Sequence, residues 1–402
     1  MGPQGWFVDF AQPYRAMAKD LLEVQDYPEV LDAPRPHGRP IRPYDASGWT
    51  LPLQFGVAVQ PVRGERPQGI GALAPRRTLE QVESAATRRF DRTREMAVQS
   101  SLQDLDGLRQ LFHAHRKGKR AWANKSGELV IEKGQLPRGP EGYKQLRQLA
   151  VGLYQSHVSN MDEGWTRYIL DSFGVSYDRV SSARVAKGKL VDDFDVILLP
   201  SIRRSTLLRG HGRARQLPEF ADGIGEKGLE ALHDFVSDGG RLVAWGAAVD
   251  AVLPIPDRNV VNVLRGIPGR GVSAPGTILR VFQEGSNDAD KHELRETPGS
   301  VVSQISLTEG LRFDRPSSWG VLQRDMVALG GKDVRALLTY PREARLSGHL
   351  AGGEKLSMMA AYGRVDRGKG EYLLMGFRPQ NRGQTLATVP LLLRTLMQID
   401  PN

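Results

Sequence analysis

The chain has 402 residues, room for two or three domains, and its 40% hydrophobic content is enough to build real cores. It contains no cysteine, which excludes disulfides, thiolate nucleophiles and thiolate metal sites together. The net charge of +9 is scattered through RPHGRPIRP, ATRRFDRTRE, HRKGKR and RRSTLLRGHGRAR, with no regular aromatic interleaving and no nucleic-acid motif; it reads as solvated surface, so no nucleic-acid partner is expected. No apolar run approaches the roughly 18 residues of a membrane span. The opening MGPQGWFVDF lacks a basic segment followed by an apolar one, so no signal peptide is expected in this sequence.

Trp6 to Phe10 read as a strand, followed by a turn at AQP and a helix over YRAMAKDLLEV, whose Met17, Leu21, Leu22 and Val24 fall roughly on one face. Residues 31–75, rich in Pro, Gly and Arg, read as an extended connector with one compact piece at RPYDASGWTLPLQFGV. There Tyr44, Asp45, Trp49 and Gln54 suit either a pinned loop or a stacking surface. Residues 76–95 read as a polar linker. MAVQSS predicts a strand, and LQDLDGLRQLFHAHRKG a helix stopped by Gly118. KRAWANKSGELVIE predicts a hairpin turning at Asn124 to Gly127. GELVIEKGQ faintly echoes GWFVDFAQ, hinting at two related lobes.

From residue 149 the texture changes to strands separated by helices. LAVGLY, SYDRV, FDVILLP and RLVAWG read as strands; MDEGWTRYILDSFG and GEKGLEALHDFVSDGG read as helices. In the first helix Trp165, Ile169 and Phe173 recur four apart and are assigned to the buried face. Short strands TILRVF, VRALLTY and EYLLMGF follow, then a closing helix TLATVPLLLRTLMQI. Alternation of this kind implies right-handed parallel crossovers and an open sheet covered on both faces.

In such sheets ligands bind beyond the carboxyl ends of the strands. Amidotransferase-like and hydrolase-like folds present a Cys or Ser there on a tight strand-to-helix turn. After RLVAW this chain offers Gly246, Ala247, Ala248 and Val249. None has a nucleophilic atom, so acyl-enzyme chemistry at that turn is not expected.

Residues 149–402 resemble the C-terminal class I glutamine amidotransferase-like domain of large bacterial zinc carboxypeptidases of the carboxypeptidase A type. The phrases VGLYQSHVSNMDEGWTRYILDSFGVSYD, DVILLPS, GIGEKGLEALHDFVSDGGRLVAW, RNVVNVL, APGTILRV, LSGHL and LLMGFRPQNRGQT carry the resemblance. AQPYRAMAKDLLEVQDYPE and RPYDASGWTLPLQFGV resemble the connector upstream in the same proteins. The resemblance implies an α/β fold, with a flavodoxin-like (class I glutamine amidotransferase-like) open parallel sheet at 149–402. It would be preceded by smaller α/β pieces, an upstream lobe and connector at 1–56 and a linker with a small lobe at 57–148. It also implies a peptidase domain that holds zinc through His-x-x-Glu and a later His, with a Glu as general base. None of the eight histidines here opens a His-x-x-Glu, and His113 and His115 lie two apart on a predicted helix, on different faces. No zinc ligand transfers to this chain, so no cofactor is expected in it. A peptidase domain or subunit is the implied partner, and a secreted or periplasmic setting the implied compartment.

Two polar stretches are candidate sites. In YQSHVSNMDEGWTRYIL, Asn160 suits an N-cap, with Glu163 three residues on as in a capping box, and Asp162 and Glu163 suit the positive end of the helix dipole. Capping leaves Gln155, Ser156 and His157 unaccounted for; those three suit a pocket rim. In GFRPQNRGQT, Arg378, Gln380, Asn381, Arg382 and Gln384 suit either a grip on a carboxylate or sugar, or a loop fixed to the acidic helix start. Both stretches follow predicted parallel strands and should share one sheet edge. The candidate crevice is therefore Gln155, His157, Asp162, Glu163, Arg378, Gln380, Arg382 and Gln384. A noncatalytic accessory role in domain packing or in peptide or glycan recognition is expected. Alternatives are a hydrolase or lyase using Asp162 and Glu163, or a basic nucleic-acid binder.

Overall fold

The computed structural model describes residues 7–27, 50–57, 59–62, 64, 97–102, 105–124, 127–132, 139–211, 217–265, 271–282, 305–306, 310–311, 318–322 and 326–399. Tyr44, Asp45, Trp49 and the 76–95 linker lie outside them. So does Trp6; the rest of its expected strand, Phe7 to Phe10, is irregular. Instead, Asp9 accepts the Ala11 N–H at 2.8 Å, a side-chain-closed turn that competes with extended backbone. With that strand the expected echo of two related lobes goes too. Helix α1 (Arg15–Leu22) forms, but it buries no residue, and Met17 and Val24 are exposed. Helix α2 (Leu51–Phe55) buries Gln54.

A small lobe follows, with strand β1 (Ala97–Ser101), helix α3 (Leu105–Arg116) and strands β2 (Ala121–Ala123), β3 (Glu128–Glu132) and β4 (Lys144–Arg147). β2 and β3 form the expected hairpin, and Gly118 after α3 takes a positive φ of 67°. The sheet order is β1-β3-β2-β4, antiparallel throughout.

The main body begins with β5 (Val151–Gln155), α4 (Met161–Ser172) and β6 (Asp178–Ser181). Helix α5 (Ser182–Ala186), strand β7 (Val196–Leu199) and the short helices α6 (Arg204–Arg209) and α7 (Pro218–Ala221) come next. Helix α8 (Gly225–Ser237), strand β8 (Arg241–Trp245) and helix α9 (Ala247–Val252) complete the alternation. Then come β9 (Ile278–Phe282), β10 (Ser318–Leu322), β11 (Arg335–Thr339), β12 (Ala360–Arg367), β13 (Gly370–Met375), helix α10 (Val389–Arg394) and strand β14 (Gln398–Ile399). The large sheet runs β10-β9-β11-β12-β13-β8-β7-β5-β6. The five strands from β13 to β6 are mutually parallel, and the remaining pairings along this path are antiparallel. The protein is thus mixed α/β. The parallel strands, taken in chain order, stand as 2-1-3-4-5.

Strand β7 reads Val-Ile-Leu-Leu and is buried at all four positions, as a parallel strand covered on both faces must be. Val196 and Leu198 face a core shared with Ile169, Phe173 and the small lobe's Leu108 and Leu111. Ile197 and Leu199 face the opposite core with Leu232 and Phe235 of α8. The expected closing helix is only α10, six residues long. Beyond it the chain extends, and β14 pairs with β4 of the small lobe.

Candidate functional site

Parallel pairing places the carboxyl ends of β5, β7, β8 and β13 along one edge of the sheet. The loops that leave that edge meet at Asp162, in the first turn of α4. Its Oδ2 accepts the Ser201 backbone N–H after β7 at 2.9 Å and the indole N–H of Trp245, the last residue of β8, at 2.6 Å. Its Oδ1 lies 3.5 Å from Nη1 of Arg378, in the loop after β13. One carboxylate thus ties together segments led by four strands.

Neighbouring bonds reinforce the tie. Nε2 of Gln380 donates to Oγ1 of Thr166 (2.8 Å), whose hydroxyl donates to the Asp162 carbonyl (2.7 Å). Nδ2 of Asn160 donates to the Ser201 carbonyl (3.2 Å), and the Ser201 hydroxyl accepts the Ala247 N–H at 3.1 Å. Asp162 is 3% exposed and Gln380 fully buried. Burial pushes the Asp162 carboxyl above its ordinary range, opposed by the Arg378 charge and the Trp245, Ser201 and Gln380 donors.

Asn160 caps α4 as expected, its Oδ1 accepting the N–H groups of Asp162 (2.9 Å) and Glu163 (3.4 Å). The acidic pair behaves differently from the expectation. Asp162 is a tertiary hub, and Glu163 pairs with Arg167 at 2.9 Å, one helical turn along. Burial raises the Glu163 carboxyl, opposed by the Arg167 charge. Trp165, assigned from periodicity to the buried face, is 38% exposed. The buried residues of α4 are Asp162, Glu163, Thr166, Ile169 and Leu170, so Trp165 falls on the shoulder of the buried face.

Of the eight candidate residues, the structure brings Asp162, Arg378 and Gln380 into direct contact. The two loops meet and pack against each other. Gln155 is half-buried at the end of β5. His157 is exposed; its ring meets Phe220 edge-on at 5.5 Å, and its carbonyl lies 3.3 Å from His211 Nε2. Arg382 and Gln384, both half-buried, stand on either side of Gly383. Arg382 takes a left-handed φ of 53° and Gly383 one of 67°. A Cβ on Gly383 would lie 3.1 Å from the Tyr168 ring and 3.5 Å from that of Trp165, so this loop rests directly against α4. Buried polar atoms without a hydrogen-bond partner gather in the same loop: Oε1 of Gln380, Nδ2 of Asn381 and Oε1 of Gln384.

Sequence reasoning missed Ser201 and Trp245. Their position at or just beyond the carboxyl ends of predicted parallel strands was the available signal. It also missed a polar cleft of about 360 Å³ at the opposite, amino-terminal edge, lined by Arg147, Asp195, Arg241, Arg364, Lys369 and Glu371. Its charges are largely matched from within: Arg147 to Asp195 at 2.5 Å, Arg241 to Glu371 at 2.6 Å, and Arg364 to Glu371 at 3.0 Å.

At the turn from β8 to α9, Gly246 adopts φ 56° and ψ −133°. This conformation, outside the ordinary regions for L-residues, has a residue without a side chain at its apex. Among the described residues, no group of three or more His, Asp or Glu side chains is placed to hold a metal ion, and no helix is long and apolar enough to cross a membrane.

Fold and site together define an α/β protein whose parallel sheet edge is closed over a buried carboxylate hub. No family model matches the sequence, and no curated protein matches it. Among solved structures, the chain is similar to a ThuA-like protein from Bacteroides uniformis, at 10% identity over 65% of this chain and 93% of that one, TM-score 0.35. It is also similar to a cytoplasmic protein from Salmonella typhimurium, at 15% identity over 62% and 97%, TM-score 0.35. A third is a β-galactosidase from Bacillus circulans sp. alkalophilus, at 12% identity over 63% and 32%, TM-score 0.33. The chain spans about a third of the length of the β-galactosidases it matches.

Proposed function

We propose that this chain is a noncatalytic accessory region of a zinc metallocarboxypeptidase-like protein. Its scaffold is flavodoxin-like, of the class I glutamine amidotransferase-like kind, and its carboxyl edge serves recognition of a peptide or glycan rather than its conversion. The observation that carries this reading is Gly246. It occupies the apex of a tight strand-to-helix turn, where folds of that kind carry a Cys or Ser nucleophile. The strand order 2-1-3-4-5 supports the scaffold, being the flavodoxin-like order of doubly wound sheets.

The competing hydrolase or lyase reading needs Asp162 or Glu163 to meet a substrate. Asp162 already takes two donors and an arginine from its own chain, and Glu163 is paired with Arg167. Asp162 thus fixes loops to one another, and Glu163 is engaged within its own helix.

The test is expression of the chain alone and joined to whatever reading frame precedes Met1 in the genome, with zinc analysis and a carboxypeptidase assay on both. A His-x-x-Glu in frame and activity confined to the longer product are expected. Turnover of peptides or glycosides by the chain alone, lost in Asp162→Asn, would establish the hydrolase reading instead.

A further inference from the structure

The polar cleft at the amino-terminal edge of the large sheet has an unusual wall. It holds about 360 Å³ and is lined by four glycines, four cations, three carboxylates and Gln398, with no apolar side chain. Small-molecule sites are lined mainly by apolar and aromatic groups with a few polar ones. This wall excludes an apolar ligand and suits one with hydrogen-bonding groups all round. The cleft also lies on a seam. Arg147 and Gln398 come from β4 and β14 of the small sheet, and the other lining residues from the main body.

The charges of the wall do not cancel. Asp195 holds Arg147 at 2.5 Å, and Glu371 holds Arg241 and Arg364 at 2.6 and 3.0 Å. Lys369 is exposed and, among the described residues, has no acidic partner. Its backbone is fixed. Arg367 and Gly370 pair across β12 and β13, leaving a two-residue turn with Gly368 at φ 59° in the first central position. The Lys369 N–H donates to the carbonyl of Ser237, the last residue of α8, at 2.9 Å. A Cβ on Gly368 would lie 2.3 Å from that same oxygen, so the turn is pressed against the helix end.

Three more groups at the wall keep unused bonding capacity. Arg147 is engaged through Nη2 alone, and its Nε and Nη1 protons remain. Gln398 stands directly opposite Arg147 in the strand register, so the two side chains share one face of the small sheet. Gln398 is exposed, and its amide has no partner among the described residues. Asp366 accepts from Arg364 through Oδ1, leaving Oδ2 as an acceptor.

We propose that this cleft binds a small hydroxylated carboxylate of the sugar-acid class. Its carboxylate would sit on Lys369 and Arg147, and its hydroxyls on Gln398 and Asp366. One unmatched cation complements one negative charge, whereas a phosphate group brings about −1.5 to −2 at neutral pH. A neutral sugar leaves Lys369 unmatched, and a bare inorganic ion leaves the cleft mostly empty. The site lies at the edge opposite the Asp162 hub. It goes beyond the recognition role proposed above and does not rest on it. A ligand spanning the seam would hold the small sheet to the main body and stabilise the fold by mass action.

The test is titration of the chain with D-glucuronate, D-galacturonate and D-gluconate at constant ionic strength, read by calorimetry and melting temperature. D-Glucose supplies the body without the charge, acetate the charge without the body, and D-glucose 6-phosphate a larger charge. Saturable binding of at least one sugar acid is expected, with a raised melting temperature. The three comparison compounds should bind about tenfold more weakly or worse, the scale of a hydrogen bond to a charged group. Lys369→Ala should weaken binding by a similar factor, and Lys369→Arg should keep most of it. Gln398→Ala, also at an exposed position, gives a second reading should Lys369→Ala fail to fold. No binding of any of the three sugar acids at about 10 mM, weaker than the millimolar end of the affinity scale, overturns the proposal. So does equal affinity for glucose or acetate, tighter binding of glucose 6-phosphate, or affinity unchanged in both the Lys369→Ala and Gln398→Ala variants.

Discussion

The indole N–H of Trp245 and the carboxylate of Asp162 meet at 2.6 Å, joining the end of the fourth parallel strand to the helix that follows the first. Both residues are buried, so the bond forms out of water and neither group has a solvent alternative. Asp162→Ala would leave Arg378, the Trp245 N–H and the Ser201 N–H facing a gap. A loss of about 3–5 kcal/mol in urea unfolding is expected, the range for breaking a buried pair. Asp162→Asn, which keeps the shape but not the charge, should cost less.

The helix cap adjoins the hub, because Asn160 Nδ2 also donates to the Ser201 carbonyl. Asn160→Ala removes the bonds to two α4 N–H groups and should cost about 1 kcal/mol, the usual worth of an N-cap. Far-ultraviolet circular dichroism should still report a folded protein, with a lower melting temperature. An unchanged melting temperature would count against the cap.

How much of this was legible in the sequence divides by distance. The strand Val196–Leu199 announced itself as an unbroken apolar run, because both its faces are covered. The cap at Asn160 was legible because the N–H groups that donate to it lie two and three residues away. The role of Asp162 was not, because Ser201 and Trp245 stand 39 and 83 residues downstream. Trp165 was misplaced for a related reason. Helical spacing marks an apolar stripe, but only the neighbouring element decides how much is covered, and here the loop at Gly383 touches the Trp165 ring yet leaves the residue 38% exposed. The strand expected at Trp6 to Phe10 had a fitting composition, yet Asp9 there closes a turn on the Ala11 N–H.

Gly246 is open to direct test. At φ 56° and ψ −133° a Cβ is strained, so Gly246→Ala should destabilise by about 1–3 kcal/mol. Thermal unfolding of the variant measures this, and a neutral result would mean the turn can relax to an ordinary conformation.

His233 should make stability sensitive to acid. It is buried on α8 with Nδ1 2.7 Å from the Tyr372 hydroxyl; burial, then the charges of Arg367 and Arg204, lower its pKa to about 4. The folded value lies below the unfolded one near 6.5, so the native ring is neutral. Its contribution is full above about pH 6.5 and is lost as pH falls through about 4. His233→Gln should flatten the wild-type decline in melting temperature between those values. Parallel profiles for both proteins would show that other groups govern the acid limb.

The pairing of Gln398–Ile399 with β4 bears on the order in which the molecule can be assembled. The antiparallel sheet built from residues 97–147 keeps an open edge at β4 until a strand some 250 residues later arrives. On the ribosome, that edge waits through synthesis of the entire parallel sheet. An unpaired edge of this kind invites pairing with other chains. Trimming a few residues ahead of Gln398, harmless by the look of a surface tail, would therefore make the wait permanent.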